Sequence, residues 1–339
     1  MLNPTPQAIA AGHIMKVLVT GGSGFIGSAV IRVLLQHQYE VRSLIRQSSP
    51  RDNITGLPVE VVIGDLNDLP SLMHATRGCQ ALFHVAADYR LWVPNPAVLD
   101  QTNIDGTRNI LQAAAANGIE RLVYTSSVAT IGSTPDGTPA DEETPTEISQ
   151  MIGHYKRSKF KAERLVMDWT QNGHGAAIIV NPSTPIGPRD IKPTPTGKMI
   201  RDAAMGRIPA YVNTGLNIVH VDDVATGHFL AFSRGRIGQR YILGGTNLTL
   251  REILGYIAEL TGHHAPRLRL PVRGLVPVAY LSEWWGRLCG TEPRITLDAL
   301  QMARKQMFFS SAKATRDLGY QPRSVSEAFR DAVDWFLKQ

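Results

Sequence analysis

Cysteine is nearly absent from this chain, and its scarcity argues against two kinds of structural site. The 339 residues contain two cysteines, Cys79 and Cys289, and neither belongs to a CxxC motif or a Cys/His cluster. A disulfide framework and a structural zinc site both need several cysteines at short spacings, so neither is expected. We interpret both residues as buried thiols in a reducing compartment, and we expect no metal.

Long apolar runs and blocks of like charge are also missing. No stretch of about 18 apolar residues occurs, and the first 14 residues lack the basic start and apolar run of a signal peptide. We therefore expect a cytoplasmic protein. Lys and Arg outnumber Asp and Glu by 35 to 29, but the charges are dispersed. Nucleic-acid binding is not expected, whereas a small phosphorylated ligand fits this balance.

The sequence does contain a regular alternation of short apolar runs and helical segments. Helical spacing follows the first run and recurs near 69–76, 97–117 and 153–172. Strands separated by helices of this length pair in parallel through right-handed crossovers, so the predicted fold class is α/β with a doubly wound parallel sheet. The predicted strands are KVLVT, EVRSLI, VEVVIGD, ALFHVAA, RLVYTSS and AAIIVNP.

The alternation of predicted strands and helices becomes less regular after residue 182. The segment NPSTPIGPRDIKPTPTG places five prolines within 17 residues, and no regular element is expected there. The remainder is predicted to be a smaller, mainly helical C-terminal part that packs directly against the sheet, with one short strand at RYILGG. Its predicted helices are 196–206, 222–233, 249–262, 273–288, 311–318 and 324–338.

A glycine-rich turn, TGGSGFIG, joins the first strand to the first helix. Gly21, Gly24 and Gly27 stand there at GxxGxxG spacing. Such glycines permit a tight turn, close approach of the backbone to a pyrophosphate, and close packing of the helix on the strand. The free N–H groups and positive dipole of the helix N-terminus, at Phe25 and Ile26, favour an anion. These features predict dinucleotide binding.

Residues at the ends of the next two strands bear on how the dinucleotide is held. Arg46 ends the second strand, where NAD-preferring sites often carry an acidic residue for the ribose hydroxyls. Arginine cannot accept those hydrogen bonds but pairs well with a 2′-phosphate, so NADP is the preferred cofactor and NAD the alternative. A solvent-exposed arginine is the other interpretation. Asp65, after the third strand, is placed to receive the adenine amino group or simply to cap a helix.

Tyr155 and Lys159 form a YxxxK pair at the start of a predicted helix, where i and i+4 side chains share one face. Tyrosine has a pKa of about 10 and is a poor base at neutral pH unless a cation stabilises its phenolate. Lys159 is placed to do this and to reach the ribose of the nicotinamide. Ser127, at the end of YTSS, would hold the reacting oxygen. The predicted reaction is hydride transfer at a hydroxyl or carbonyl carbon, with Tyr155 as acid or base.

Together these motifs resemble the extended short-chain dehydrogenases/reductases, which include NAD-dependent epimerases and dehydratases. TGGSGFIG, GDL, FHVAA, NIDGTRN, YTSS, YKRSK and HVDDVA stand in the family's order from Met15 onward. The resemblance implies an adenine site at Asp65 and Leu66. It also implies cofactor contacts at Ala86, Ala87, Pro182 and Ser183, a supporting role for Asn103, and the homodimer common in the family.

The corresponding division of the chain has three parts. Residues 1–14 are an N-terminal extension, 15–182 an NAD(P)-binding Rossmann domain, and 183–339 a substrate-binding region with some segments returning to the Rossmann sheet. Within the family, the sequence resembles hopanoid-associated sugar epimerases, which are similar in turn to dihydroflavonol 4-reductases. This similarity lies in segments such as AADYRLWVPNP and VNPSTPIGPRDIKPTPTGK.

Three functions stay open at this point. A reductase releases oxidised cofactor in each cycle, a nucleotide-sugar epimerase keeps NAD bound, and a regulator binds NADP without catalysis. Arg46 favours the reductase, and the presence of both Tyr155 and Lys159 disfavours the regulator. Sugar-nucleotide epimerases commonly carry a phosphate-binding arginine shortly before HVDD, where this chain has Asn217. The replacements considered for it are Arg189, Lys192 and Lys198, each of which is otherwise a solvated loop residue.

The substrate is expected between the segment around Asp88, Tyr89, Arg90 and Trp92 and the region 184–217. The two aromatic residues would stack on a ring or pack as a lid. A second aromatic segment raises the question of membrane association. Its spacing suits a membrane surface or domain packing, and packing is the favoured interpretation, so membrane association is not expected. This segment contains Leu275, Tyr280, Leu281, Trp284 and Trp285.

Overall fold

The computed structural model describes residues 14–134, 136–291, 293 and 295–339. Apart from Ile14, the predicted N-terminal extension lies outside the described residues. The strands are β1 (Lys16–Thr20), β2 (Glu40–Ile45), β3 (Val59–Ile63), β4 (Ala81–His84), β5 (Arg121–Thr125), β6 (Ala177–Pro182), β7 (Thr184–Ile186), β8 (Ala210–Tyr211), β9 (Gly215–His220), β10 (Arg240–Leu243), β11 (Thr246–Thr249), β12 (Leu268–Arg269) and β13 (Gln306–Met307). The α-helices are α1 (Phe25–Gln36), α2 (Leu69–Thr76), α3 (Ala97–Asp100), α4 (Gly106–Ala116), α5 (Gly153–Gln171), α6 (Pro195–Ala204), α7 (Val221–Arg234), α8 (Leu250–Thr261), α9 (Val276–Cys289), α10 (Leu297–Met302), α11 (Ala312–Leu318) and α12 (Val325–Leu337).

A seven-stranded parallel sheet forms the centre of the molecule, in the order β10-β6-β5-β4-β1-β2-β3. The strand order reverses beside β1, which lies between β2 and β4. The doubly wound parallel sheet predicted from the alternation of strands and helices is therefore confirmed. In such sheets the ligand crevice lies where the strand order reverses, beyond the carboxyl ends of the strands.

Alternate residues of the central strands supply two separate cores. In β1, Val17 and Val19 pack on the face covered by α1 and α7, whereas Leu18 packs on the face covered by α2, α4 and α5. This follows from the period of two in a strand, and it explains why a strand buried on both faces is an unbroken apolar run. A third core lies between α6, α8, α12 and β9.

The C-terminal region departs from the prediction in two respects. It contains a smaller sheet, in which β9 pairs with β7, β11 and β13, and β7 lies in the proline-rich segment where no regular element was expected. These strands have two to six residues each, and β9 pairs with residues far along the chain, so no local pattern marks them. The predicted strand at RYILGG forms as β10, at the edge of the central sheet.

Two expectations about individual residues are wrong. Cys79 is buried, but Cys289 is exposed. The aromatic segment does not pack into the domain, since Tyr280, Leu281, Trp284 and Trp285 are 59–67% exposed. Among the described residues, none of the helices is long and apolar enough to cross a membrane.

Candidate active site

A cavity of about 1160 Å³ opens at the carboxyl ends of the central strands. Every site residue predicted from the sequence lines it, from the glycine turn after β1 to Arg189 in the proline-rich segment. The lining includes Gly21, Gly24, Phe25, Ile26, Gly27, Arg46, Asp65, Leu66, Ala86, Ala87, Asp88, Tyr89, Trp92, Ser127, Tyr155, Lys159, Pro182, Ser183 and Arg189.

The glycine turn has different constraints at its three glycines. Gly21 has a φ of 68°, and a Cβ there would lie 2.8 Å from the Cα of Ala86. A Cβ on Gly27 would lie 2.1 Å from the carbonyl oxygen of Gly21. Gly24 is less confined, since a Cβ there would meet only that same oxygen, at 3.2 Å. Packing therefore requires Gly21 and Gly27, whereas Gly24 leaves open the space in front of the turn.

The N-terminus of α1 faces this space without a capping group. Among the described residues, no side chain accepts a hydrogen bond from the first turn of α1, and that turn contains no acidic residue. A helix start with free N–H groups and no carboxylate favours a bound phosphate. The turn therefore fits the pyrophosphate of a dinucleotide.

Arg46 and Asp65 lie on the cavity wall at the ends of β2 and β3. Arg46 is exposed, and its guanidinium has no described hydrogen-bond partner, so it is available to an anion. The Asp65 carboxylate accepts a hydrogen bond from the Asn67 backbone N–H at 2.9 Å. Asp65 does not cap α2, because the residue at the N-cap is Asp68.

Two buried hydroxyls on the cavity wall lack a partner. Ser126 follows β5 and Ser183 follows β6, and the structure gives neither Oγ a hydrogen bond within the described chain. Buried hydroxyls are normally hydrogen-bonded, since an unsatisfied one costs about 1–3 kcal/mol. These two groups thus fit a polar ligand in the cavity, as the open glycine turn does.

Tyr155 lies in the first turn of α5 and is half-buried in the cavity wall beside Ser127. Burial raises the pKa of Tyr155, the Ser127 hydroxyl lowers it in part by hydrogen bonding, and the Asp88 carboxylate raises it further. The phenol is therefore protonated at neutral pH. Ser127 is held in turn by the side-chain amide of Asn181, which donates to the Ser127 carbonyl oxygen at 3.1 Å.

Lys159 lies one turn further along α5, and its side chain is buried. Its ammonium donates to the Tyr124 hydroxyl at 3.0 Å and to the Thr125 carbonyl oxygen at 2.8 Å. It also lies 4.6 Å from the centroid of the Tyr124 ring. Burial lowers the pKa of Lys159 to about 8, although the Glu163 carboxylate opposes the shift. In the described chain Lys159 has no hydrogen bond to Tyr155, so its predicted action on the phenolate stays a prediction.

Asn103 stabilises the part of the cavity wall that contains Asp88 and the start of α5. Its side-chain amide donates to the Asp88 carbonyl oxygen and to the Ser158 hydroxyl, both at 2.9 Å. Its Oδ1 accepts from the Asp88 N–H at 2.8 Å. Asn103 thus ties the loop after β4 to helix α5. It is 2% exposed and does not line the cavity, which agrees with the structural role predicted for it.

Some of the residues predicted to contact substrate already bind other groups of the protein. Asp88 forms an ion pair with Arg90, and the Tyr89 hydroxyl donates to the Lys192 carbonyl oxygen at 3.3 Å. Arg189 forms an ion pair with Asp222 at the start of α7. Its positive charge is therefore already balanced. Trp92 is half-buried and lines the cavity beside these residues.

Other residues of the cavity wall were not predicted from the sequence. Lys305 and Phe308 belong to a segment far from any of the motifs, and only the tertiary fold brings it to the cavity. Lys156 is within YKRSK, but the motif itself assigns it no task, and burial lowers its pKa to about 8. The Asn53 amide donates to the carbonyl oxygens of Ser23 at 3.2 Å and Arg189 at 3.0 Å, thereby joining the glycine turn to the proline-rich segment.

Asn217 stands where sugar-nucleotide epimerases commonly carry a phosphate-binding arginine. It is 1% exposed, and its amide donates to Asn247 at 2.7 Å and to the Phe309 carbonyl oxygen at 3.2 Å. It is therefore a structural residue of the smaller sheet. Of the cations considered as replacements, Arg189 is paired, and Lys192 and Lys198 line the cavity.

Comparison with known proteins gives consistent matches along the chain. The model of the NAD dependent epimerase/dehydratase family matches residues 17–244. A putative dihydroflavonol 4-reductase of Synechocystis sp. is 46% identical over 322 residues, covering 94% of this chain and 93% of that protein. Sterol demethylase protein B of Methylococcus capsulatus is 34% identical over 327 residues, covering 96% and 99%. The crystal structure of gox2253 superposes with a TM-score of 0.86 at 52% identity, covering 95% and 98%.

Proposed function

The chain belongs to the NAD dependent epimerase/dehydratase family of extended short-chain dehydrogenases/reductases, and we propose that it is an NADPH-dependent reductase of a carbonyl carbon. The single observation that carries this proposal is that the Tyr155 phenol and the Ser127 hydroxyl line the same cavity as the glycine turn and Arg46. A tyrosine is protonated at neutral pH, and burial, which raises the pKa of Tyr155, keeps it so. A protonated acid is what carbonyl reduction requires of this residue.

The residues present fit the cofactor. The glycine turn and the N-terminus of α1 would hold its pyrophosphate, Arg46 its 2′-phosphate, and Asp65 its adenine amino group. Ser126 and Ser183 offer their unpaired hydroxyls to the nicotinamide half or to the substrate. When bound, NADPH supplies the hydride for the carbonyl carbon.

The chain's own residues supply the proton. Ser127 donates a hydrogen bond to the carbonyl oxygen and orients it, while Tyr155 transfers its phenolic proton to that oxygen as the carbon is reduced to an alcohol. After this proton transfer, Tyr155 is a phenolate. The Lys159 ammonium stabilises that phenolate electrostatically, and solvent then restores the proton.

A nucleotide-sugar epimerase that retains NAD is the alternative, since the family contains epimerases. The site supports it less well, because Asn217 is a structural residue and Arg189 is paired with Asp222. A substrate without a diphosphate is therefore favoured. The name of the Synechocystis relative, a putative dihydroflavonol 4-reductase, agrees with a reductase. A non-catalytic NADP-binding regulator is disfavoured, because Ser127, Tyr155 and Lys159 are all present and line one cavity.

Oxidation of NADPH tests the proposal directly. The purified protein should oxidise NADPH in the presence of members of a ketone and aldehyde panel, and Tyr155→Phe should lower the rate at least about 100-fold. NADPH binding, followed by nicotinamide fluorescence, should persist in the variant. Retention of tightly bound NAD together with inversion of a nucleotide sugar, seen by NMR without net oxidation, would refute the reductase and support the epimerase.

A further inference from the structure

Helix α9 turns its large apolar side chains toward solvent and its small ones toward the protein. Ala279 is fully buried and Gly286 is buried as well. The outward side chains are 47–67% exposed, which is unusual for a contiguous group of this size. This exposed apolar face consists of Val278, Tyr280, Leu281, Trp284, Trp285 and Leu288.

Hydrogen bonds on the inner side fix this orientation. The Glu283 carboxylate accepts from the Leu297 N–H at 2.7 Å, and the Ser282 hydroxyl oxygen accepts from the Ile295 N–H at 3.3 Å. Rotating α9 to bury the tryptophans would break both bonds. The apolar face is therefore held outward by the fold.

Positive charge lies in the segment that leads into α9. Arg267, Arg269 and Arg273 precede α9 and are exposed, and none of them has an ion pair with a carboxylate of the described chain. Residues 265–291 contain four arginines and one glutamate. Residues 267–288 thus combine exposed tryptophan, tyrosine and leucine with exposed arginines that have no carboxylate partner in the described chain.

We propose that the apolar face of α9 and these arginines form a docking surface for an anionic lipid bilayer. Tryptophan and tyrosine favour the headgroup region, leucine enters the acyl boundary, and arginines pair with lipid phosphates. A second copy of the chain fits less well. A two-fold interface brings the same patch of both copies together, so the arginines would repel one another.

Docking would bring the cavity close to the membrane. Gly290, at the C-terminal end of α9, lines the cavity that contains Tyr155. An apolar carbonyl substrate dissolved in the bilayer would then reach the site without crossing water. This consequence for the substrate rests on the proposed function, whereas docking itself is measured without turnover.

Flotation of the full chain with vesicles tests the docking surface. The protein should float with mixed phosphatidylcholine–phosphatidylglycerol vesicles at low salt, bind weakly to pure phosphatidylcholine, and show a blue shift of tryptophan emission on binding. Leu281→Ser combined with Trp284→Ser should reduce binding at least about tenfold, because both side chains are solvent-exposed and provide apolar contact. Changing Arg267, Arg269 and Arg273 to Gln should cost about fivefold per arginine.

The matched control carries Ile237→Ser and Leu337→Ser, which alter side chains that are 41% and 54% exposed away from α9. It should bind as the wild type does, and all variants should keep the wild-type melting temperature and NADPH binding. The proposal is overturned if the wild type fails to float with anionic vesicles, or if the control loses binding as strongly as the α9 variant. It is equally overturned if sedimentation velocity shows a dimer that the α9 variant dissociates while vesicle binding is absent.

Discussion

Replacing Tyr124 by Phe tests how the protein sets the charge of Lys159. Tyr124 is 1% exposed, and its hydroxyl accepts a hydrogen bond from the Lys159 ammonium at 3.0 Å. The variant removes that acceptor and keeps the aromatic ring beside the ammonium. A hydrogen bond to a charged group contributes about 1.5–3 kcal/mol, and one pKa unit corresponds to about 1.4 kcal/mol. The pKa of Lys159 should therefore fall by about 1–2 units below its present value of about 8.

The direction of the effect on activity follows from the need for a charged Lys159 ammonium. Lys159 is charged below its pKa and neutral above it, so a reaction that needs the charge declines as the pH rises through that value. The alkaline limb of kcat/KM for carbonyl reduction should lie near pH 8 in the wild type and near about pH 6–7 in Tyr124→Phe. At a pH of about 7.5 the variant should lose roughly 3- to 25-fold, and at acidic pH it should approach the wild type.

Tyr241→Phe is the matched control for this measurement. Tyr241 is also buried, its ring lies 5.3 Å from the Lys313 ammonium, and its hydroxyl accepts from the Arg236 N–H. It does not line the cavity. Its loss should lower stability by about 1 kcal/mol and leave the pH profile unchanged. An alkaline limb that stays at the wild-type pH in Tyr124→Phe would refute the reasoning, as would an equal shift in the control.

Two further predictions concern cofactor choice and acid stability. Arg46→Ala should raise the KM for NADPH by at least about tenfold and leave that for NADH nearly unchanged, because a 2′-phosphate needs the guanidinium. Arg51→Ala, at an exposed position nearby, is the control, and an equal rise for both cofactors would contradict the assignment. Burial lowers the pKa of His228 to about 4, so this residue stays neutral in the fold while the unfolded chain gains a proton below about pH 6.5. Its contribution to stability should therefore decline by about 3 kcal/mol as the pH falls from 6.5 to 4, as measured by urea unfolding. His228→Gln should lose less stability over this range than the wild type, whereas the control His174→Gln, at an exposed position, should match the wild type. If the free energy of unfolding falls equally with pH in all three proteins, His228 is not the cause of the loss.

The fold of the central sheet could be predicted because its signals are local. A strand buried on both faces is an apolar run, a crossover helix shows a period of 3.6, and the glycine turn marks their junction. The smaller sheet could not be predicted in this way. Its central strand β9 has three neighbours, β7, β11 and β13, that lie far from it in sequence, and each is too short to have its own pattern.

The candidate site likewise contains residues that short motifs identify and residues that only the tertiary structure brings to it. Gly21, Gly24, Gly27, Tyr155 and Lys159 stand in short motifs whose spacing has a direct physical reason. The neighbours that give these residues their properties are distant in sequence. Tyr124 is 35 positions from Lys159, and Asn53 is 136 positions from Arg189.

The sequence by itself determined the α/β class, the position of the glycine turn and the spacing that puts Tyr155 and Lys159 on one helix, because these depend on periodicity and on spacings within one or two elements. Only the tertiary structure decided which side chains are paired, buried or exposed. It placed Asn217 in the smaller sheet, paired Arg189 with Asp222, and turned Trp284 and Trp285 outward. Helical spacing shows that one face of α9 is apolar, but whether that face meets protein or solvent depends on what the rest of the chain packs against it.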